Sequence, residues 1–138
     1  MVSILTIAPI PLETLFRRKT VAISTEMTEL CYEAAKSIYP NKDKINEVVK
    51  KIGKDSGMNL GSAKDYIKSF FFMMSGERME HAMSERDTRY YFERIQNDFG
   101  DEALTKAILA LQLYLAYDKQ NHPGLQKLIN EFDKETEK

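Results

Sequence analysis

The side chains of this sequence whose types and spacing suit a chemical task are basic and aromatic. Arg78, Arg86, Arg89, Tyr90 and Arg94 fall close together. Arginine can bond phosphate bidentately and tyrosine can stack on an exposed base, so the group suits a nucleic-acid surface. With Lys64 and Lys68 they make the expected nucleic-acid-binding set. A competing reading is local: Glu85 with Arg89, Arg89 with Glu93, and Arg94 with Asp98 are each four apart and can satisfy one another on one helix. The net charge is −1, but residues 42–78 carry eight basic and five acidic side chains. That block is compatible with a local phosphate-facing surface, although a domain devoted to nucleic acid is usually more basic overall.

The same block holds INEVVKKIGKDSG followed, after a glycine-bearing connector, by SAKDYIKSF. Two helices joined in this way let the second enter a major groove, where Ser62, Lys64, Asp65 and Lys68 would meet base edges. Against a helix-turn-helix stand Ser56, in a position the motif keeps apolar, and a connector of Met58 to Gly61 that runs long. An ordinary helical hairpin accounts for the same residues.

Catalytic chemistry finds no support. His81 and His122 have no HxxxH or CxxC companion, so no local metal-ligand spacing is present. Gly57 and Gly61 lack the following Gly-Lys-Ser or Gly-Lys-Thr of a phosphate loop. The single Cys31 cannot form an internal disulfide, and no acidic pair stands apart from ordinary surface carboxylates. The expectation is a protein that is not an enzyme and has no cofactor or metal.

Helices must position these side chains. From Ser24, Met27, Leu30, Cys31, Ala34, Ala35 and Ile38 recur at three- and four-residue steps, a helix ending near Pro40. Asn41 is placed to cap a second helix with Ile45, Val48, Val49 and Ile52 on one face, which Gly57 stops. Ser62 is expected to open a third, running to Gly76; its consecutive Phe70, Phe71, Phe72, Met73 and Met74 make it apolar nearly all round and predict the central helix. Ser84 to Asp87 resembles a capping box opening a fourth helix, with Thr88, Tyr91, Phe92, Ile95 and Phe99 inward. Asp101 is placed to cap a fifth with Leu104, Ala107, Ile108, Leu111 and Leu115 buried. A last helix carries Leu125, Leu128, Ile129 and Phe132 after the HPG break. Residues 1–23 are apolar but broken by Pro9 and Pro11, which predicts an extended arm rather than a central strand, a signal peptide or a membrane span. The chain therefore reads as an all-α, single-domain bundle of five or six helices over residues 24–138, with an irregular N-terminal arm over 1–23.

The order Ser62-Ala63, Tyr66-Ile67, Met74-Ser75-Gly76, Thr88-Arg89-Tyr90-Tyr91-Phe92, Ile95, Asp98-Phe99-Gly100 and Ala103-Leu104 resembles a helical accessory region of bacterial HNH-type restriction endonucleases, over residues 58–118. Tyr114 and Tyr117 lie near a further aromatic position of that region. The family commonly has a basic pair shortly after the connector glycine, where this chain has Glu80 and His81. The nuclease motif is absent, so the resemblance implies a helper or recognition module without cleavage.

Two functions follow as expectations. One is a DNA-binding accessory or regulatory protein of a bacterial or phage defence-related system, with duplex DNA as partner. The other is a protein-interaction module, a homodimer or a regulator of another protein, using the N-terminal arm and Tyr114 or Tyr117. Lone-cysteine usage predicts a cytoplasmic location, and the short, proline-broken N-terminus predicts no membrane partner.

Overall fold

The computed structural model describes residues 22–136. It is an all-α bundle: α1 (Thr25–Ile38), α2 (Ile45–Ser56), α3 (Leu60–Ser75), α4 (Glu85–Phe99), α5 (Asp101–Tyr117) and α6 (Pro123–Thr136), with a 3₁₀ turn at Lys42–Lys44 leading into α2. No strand occurs among the described residues. The arm expected over 1–23 lies outside them except for Ala22 and Ile23, which have no regular secondary structure.

Local chemistry sets most of the boundaries. The Oγ of Ser24 accepts from the Met27 N–H at 3.1 Å, and the Oγ of Ser84 accepts from the Asp87 N–H at 3.1 Å, each satisfying a donor that the first helical turn leaves free. Gly57 and Gly76 end α2 and α3 at φ 77° and 76°, where a side chain would be strained. Three expected starts are corrected. Helix α3 opens at Leu60, not Ser62, because Asn59 supplies the cap to the Ser62 N–H at 3.1 Å. Asn41 makes no side-chain cap and heads the 3₁₀ turn, so α2 begins at Ile45. Asp101 lies inside α5, whose N-cap is Gly100 at φ 97°; there it is a negative charge on the first turn and accepts from the Gln96 side-chain amide at 3.0 Å.

Helix α3 is the hub of the bundle. It packs against α1, α2 and α5, while α4 packs on α5, α6 and α1. Ala63, Tyr66, Ile67, Ser69, Phe70, Phe71 and Met73 of α3 are buried. Phe70 is fully buried, with ring centroids of Tyr32 at 5.3 Å, Tyr39 at 5.7 Å and Phe99 at 6.1 Å around it. The inward faces differ from expectation at a few positions. On α1 the buried residues include Thr28 and Tyr32, whereas Leu30 is exposed at the edge of a groove of about 260 Å³ that it shares with Val48 and Ile52. Phe99 is partly exposed at the end of α4, and Ala110 is buried on α5 where Leu115 is only half-buried.

Candidate functional site

The basic and aromatic face of α4 is a seam against α1. The Arg94 guanidinium donates to Glu33 at 2.5 Å, to Asp98 at 3.2 Å and to the Tyr90 hydroxyl at 2.6 Å, and it covers the Tyr32 ring at 4.5 Å. Asp98 also accepts from Tyr32 at 2.9 Å and Lys36 at 3.2 Å. Of the three spacings expected to pair along α4, Arg94 with Asp98 forms. Arg89 instead reaches Glu131 of α6 at 3.0 Å, because the flanking helices offer carboxylates across the seam.

This seam has an acid signature. Burial alone would raise the Asp98 carboxyl, but hydrogen bonds from Tyr32, Lys36 and Asn97, with the Arg94 charge, hold it below its ordinary value. A carboxylate depressed by folding stabilises the fold above its unfolded value near pH 4 and loses that contribution as pH falls through the folded value. The stability difference between wild type and Asp98→Asn is therefore expected to be largest at neutral pH and to shrink towards pH 3. Denaturant titrations followed by circular dichroism at a series of pH values check this; a pH-independent difference would refute it.

At the start of α4, Asp87 is 2 % exposed and forms a second polar cluster. Its carboxylate accepts from the Thr28 hydroxyl of α1 at 2.9 Å, the Tyr66 hydroxyl of α3 at 2.5 Å and the Arg86 Nε at 3.0 Å. Arg86 also donates to the Ile23 carbonyl at 2.6 Å. The second half of the expected capping box is thus absent, since the Asp87 side chain turns into the bundle. Burial and then the Asp87 hydrogen bond push the Tyr66 phenol up, and burial pushes the Cys31 thiol up to about 12. Both stay protonated at neutral pH. An open hollow of about 500 Å³ adjoins Asp87, lined by Ala22, Ile23, Tyr66, Ser84 and Arg86.

The remaining expected residues are scattered. Lys68 pairs with Glu80 at 2.9 Å, and the Arg78 guanidinium lies 3.9 Å from the Tyr117 ring centroid. Lys64 is exposed and has no ion pair among the described residues. The structure brings Arg86, Arg89, Tyr90 and Arg94 onto one helix and sets Lys64, Lys68 and Arg78 apart from them. The α2–α3 break is Gly57, Met58 and Asn59, shorter than expected and within the range of a helix-turn-helix. Helix α3 packs against three neighbours, and of the residues named for base contact Lys64 is exposed while Ser62, Asp65 and Lys68 are half-buried. His81 lies 3.4 Å from Asp65 on the surface, and His122 lies 2.7 Å from Asp118, whose carboxyl is held low chiefly by that contact.

One surface feature is marked in the sequence reading only by Tyr117. Leu109, Leu113 and Tyr117 project from α5 with 45 %, 41 % and 68 % exposure. Their four-residue steps put them on the arc opposite Leu104, Ala107, Ile108 and Leu111, which face the core. Glu102 and Lys106 continue the same exposed line towards the helix start. The connector after α3 lies along this edge: the Met79 N–H donates to the Ala110 carbonyl at 3.2 Å, and the Cα of Gly76 points at Leu109, where an added Cβ would stand 3.7 Å from its Cδ2. The signal was legible as the surplus leucines of LTKAILALQLYLAY, which exceed what one buried face needs.

Among the described residues no three His, Cys, Asp or Glu side chains cluster to hold a metal ion, and no helix is long and apolar enough to cross a membrane. Comparison with protein-family models, curated proteins and solved structures gave no match.

Proposed function

We propose that the protein is a non-catalytic interaction module whose α5 face receives another polypeptide. The observation that carries this reading is the exposed Leu109, Leu113 and Tyr117 stripe. Adjacent apolar side chains on one helix arc are costly to leave in water, and such patches mark interaction surfaces. An apolar helix face of this kind suits a helix or groove on a partner. The α4 cations support it from the other side, because Arg86, Arg89 and Arg94 already spend their guanidinium groups on carboxylates of the same chain. A helper role of the kind implied by the likeness to the restriction-endonuclease accessory region fits such a module.

Replacing Leu113 with photoreactive benzoylphenylalanine in cells making the full chain is expected to give polypeptide crosslinks under light. The same replacement at exposed Glu47 of α2 should give few. Absence of any crosslinked polypeptide at position 113 would refute the reading.

A second reading, duplex DNA binding, rests on Lys42, Lys44, Lys50, Lys51, Lys54 and Lys64, which are exposed and without ion pairs among the described residues. They, more than the α4 arginines, are the cations left to meet phosphate, with Lys68, Arg78, Arg86, Arg89, Tyr90 and Arg94 contributing only where their present contacts open. Fluorescence polarisation with duplex DNA separates the readings. Binding that falls steeply with salt would favour DNA, and none at low ionic strength would eliminate it.

A further inference from the structure

We infer that the hollow at the start of α4 is the docking site of the chain's own N-terminal segment, with Val21 on its apolar wall and Lys19 on the Asp65 carboxylate. The inference is independent of the α5 face. The hollow of about 500 Å³ beside Asp87 meets a second of about 230 Å³, walled by Asp65, Ser69, His81 and Met83. Ile23 and Tyr66 line both, so the two form one trough from Arg86 across α3 to the connector that follows it. Where the described chain begins names the occupant. Ala22 and Ile23 themselves line the trough, and the Arg86 guanidinium holds the Ile23 carbonyl at 2.6 Å, so residues 1–21 join the fold at its rim. In an extended segment alternate side chains share a face, which puts Val21 and Lys19 on the side of Ile23. Lys19 is four residues from Ile23, a reach of up to about 13 Å.

Charge names it independently. Of the charged side chains that line the trough, Arg86 and Asp87 pair with each other at 3.0 Å. Lys68, one turn along α3 from Asp65, is taken by Glu80 at 2.9 Å, and Lys64 lies on a different arc of the helix. Asp65 is left with the His81 imidazole at 3.4 Å and, among the described residues, with no lysine or arginine. The residues that lead into Ala22 carry the complementary charge, since Arg17, Arg18 and Lys19 are consecutive. Ile23, Ala82 and Met83 give the same trough an apolar side that suits Val21. A segment seated there closes the open side of the Asp87 cluster and ties the lead into α1 to α3 and the connector.

Photocrosslinking in the purified full chain tests the docking. With benzoylphenylalanine in place of exposed His81, light is expected to join position 81 to residues 15–21 of the same chain, identified by mass spectrometry. The same replacement at Glu47 of α2 should give no such product. Mixing chains that carry different nitrogen isotopes separates contacts within one chain from contacts between copies. Asp65→Lys should lower the yield about two- to fivefold, the scale of one surface ion pair, with helical circular dichroism unchanged. Adding Lys19→Asp should restore it, because the pair re-forms with its charges exchanged. Asp65→Asn, which keeps the shape of the side chain, should show a smaller fall in the same direction. Absence of a crosslink to residues 15–21, or an equal one from position 47, would overturn the inference. Products of mixed isotope would overturn it in favour of a second copy, and a yield indifferent to both Asp65 substitutions would overturn the Lys19 contact.

Discussion

Asp87→Ala is expected to destabilise the fold by about 3–5 kcal/mol, most of the margin of an ordinary domain. The carboxylate is the acceptor for two hydroxyls within the bundle, Thr28 of α1 and Tyr66 of α3. Removing it leaves the Tyr66 donor buried with nothing to bond, at about 1–3 kcal/mol, while the Thr28 hydroxyl keeps only its 3.2 Å contact with the Ser24 carbonyl. Arg86 adds less, because its side chain is 55 % exposed and can return to water. The sign depends on what else is changed. A triple variant, Thr28→Val with Tyr66→Phe and Asp87→Leu, removes donors and acceptor together and is expected to recover much of the loss, since a buried charge is itself expensive. Chemical denaturation of the single and triple variants measures this. An Asp87→Ala cost below about 1 kcal/mol, or a triple variant worse than the single one, would show that the cluster does not act as one unit.

Phe70→Ala is expected to cost a similar amount, about 3–5 kcal/mol, by a different mechanism. Phe70 is fully buried at the centre of α3, and rings from α1, the turn after it and the end of α4 meet it edge-on or tilted. Deleting the ring forfeits its burial and leaves a space that Tyr32, Tyr39 and Phe99 fill only in part, while losing ring-pair contacts worth about 0.5–1.5 kcal/mol each. The melting temperature should fall on the order of 10 °C or more. Phe70→Leu, which keeps much of the volume, should cost markedly less. Equal losses for the two substitutions would argue that volume is not what Phe70 provides.

The helices were readable because their signals are local. Ser24, Ser84, Gly57 and Gly76 mark ends through contacts within a turn, and the apolar repeats of α2, α3 and α6 point inward as spaced. The misplacements have equally local reasons. Asn59 outcompeted Ser62 as a cap because Leu60 and Gly61 fit a first turn, where glycine costs little. Period alone places Leu30 inward, although α1 turns Thr28 and Tyr32 towards α3 and α4 to meet Asp87 and Asp98.

Tertiary pairing was not readable. A four-residue spacing marks charge pairs only within α4, whereas Glu33 and Glu131 lie on other helices, and nothing near Arg89 or Arg94 announces them. Asp87 looked like a capping residue because its partners lie far away in the chain. Residue type alone points to the nucleic-acid-binding candidates and does not reveal that Arg94 already has two carboxylates. The α5 stripe was visible as excess leucine, but which arc faces outward depends on where α3, α4 and α6 sit.

The Asp87 cluster also constrains the order in which the chain folds. Thr28 and Asp87 are 59 residues apart, and Tyr66 and Asp87 are 21 apart. Helices α2 and α3 can pair across a three-residue break at small entropic cost, whereas the Thr28 contact requires the chain from α1 to α4 to close into one large loop. Carboxylate, phenol and hydroxyl therefore meet only when the bundle is nearly complete. On that basis the Asp87→Ala loss should appear mainly as faster unfolding, with the refolding limb little changed in stopped-flow kinetics. The cluster would then act as a latch on the finished bundle rather than as part of the nucleus that builds it.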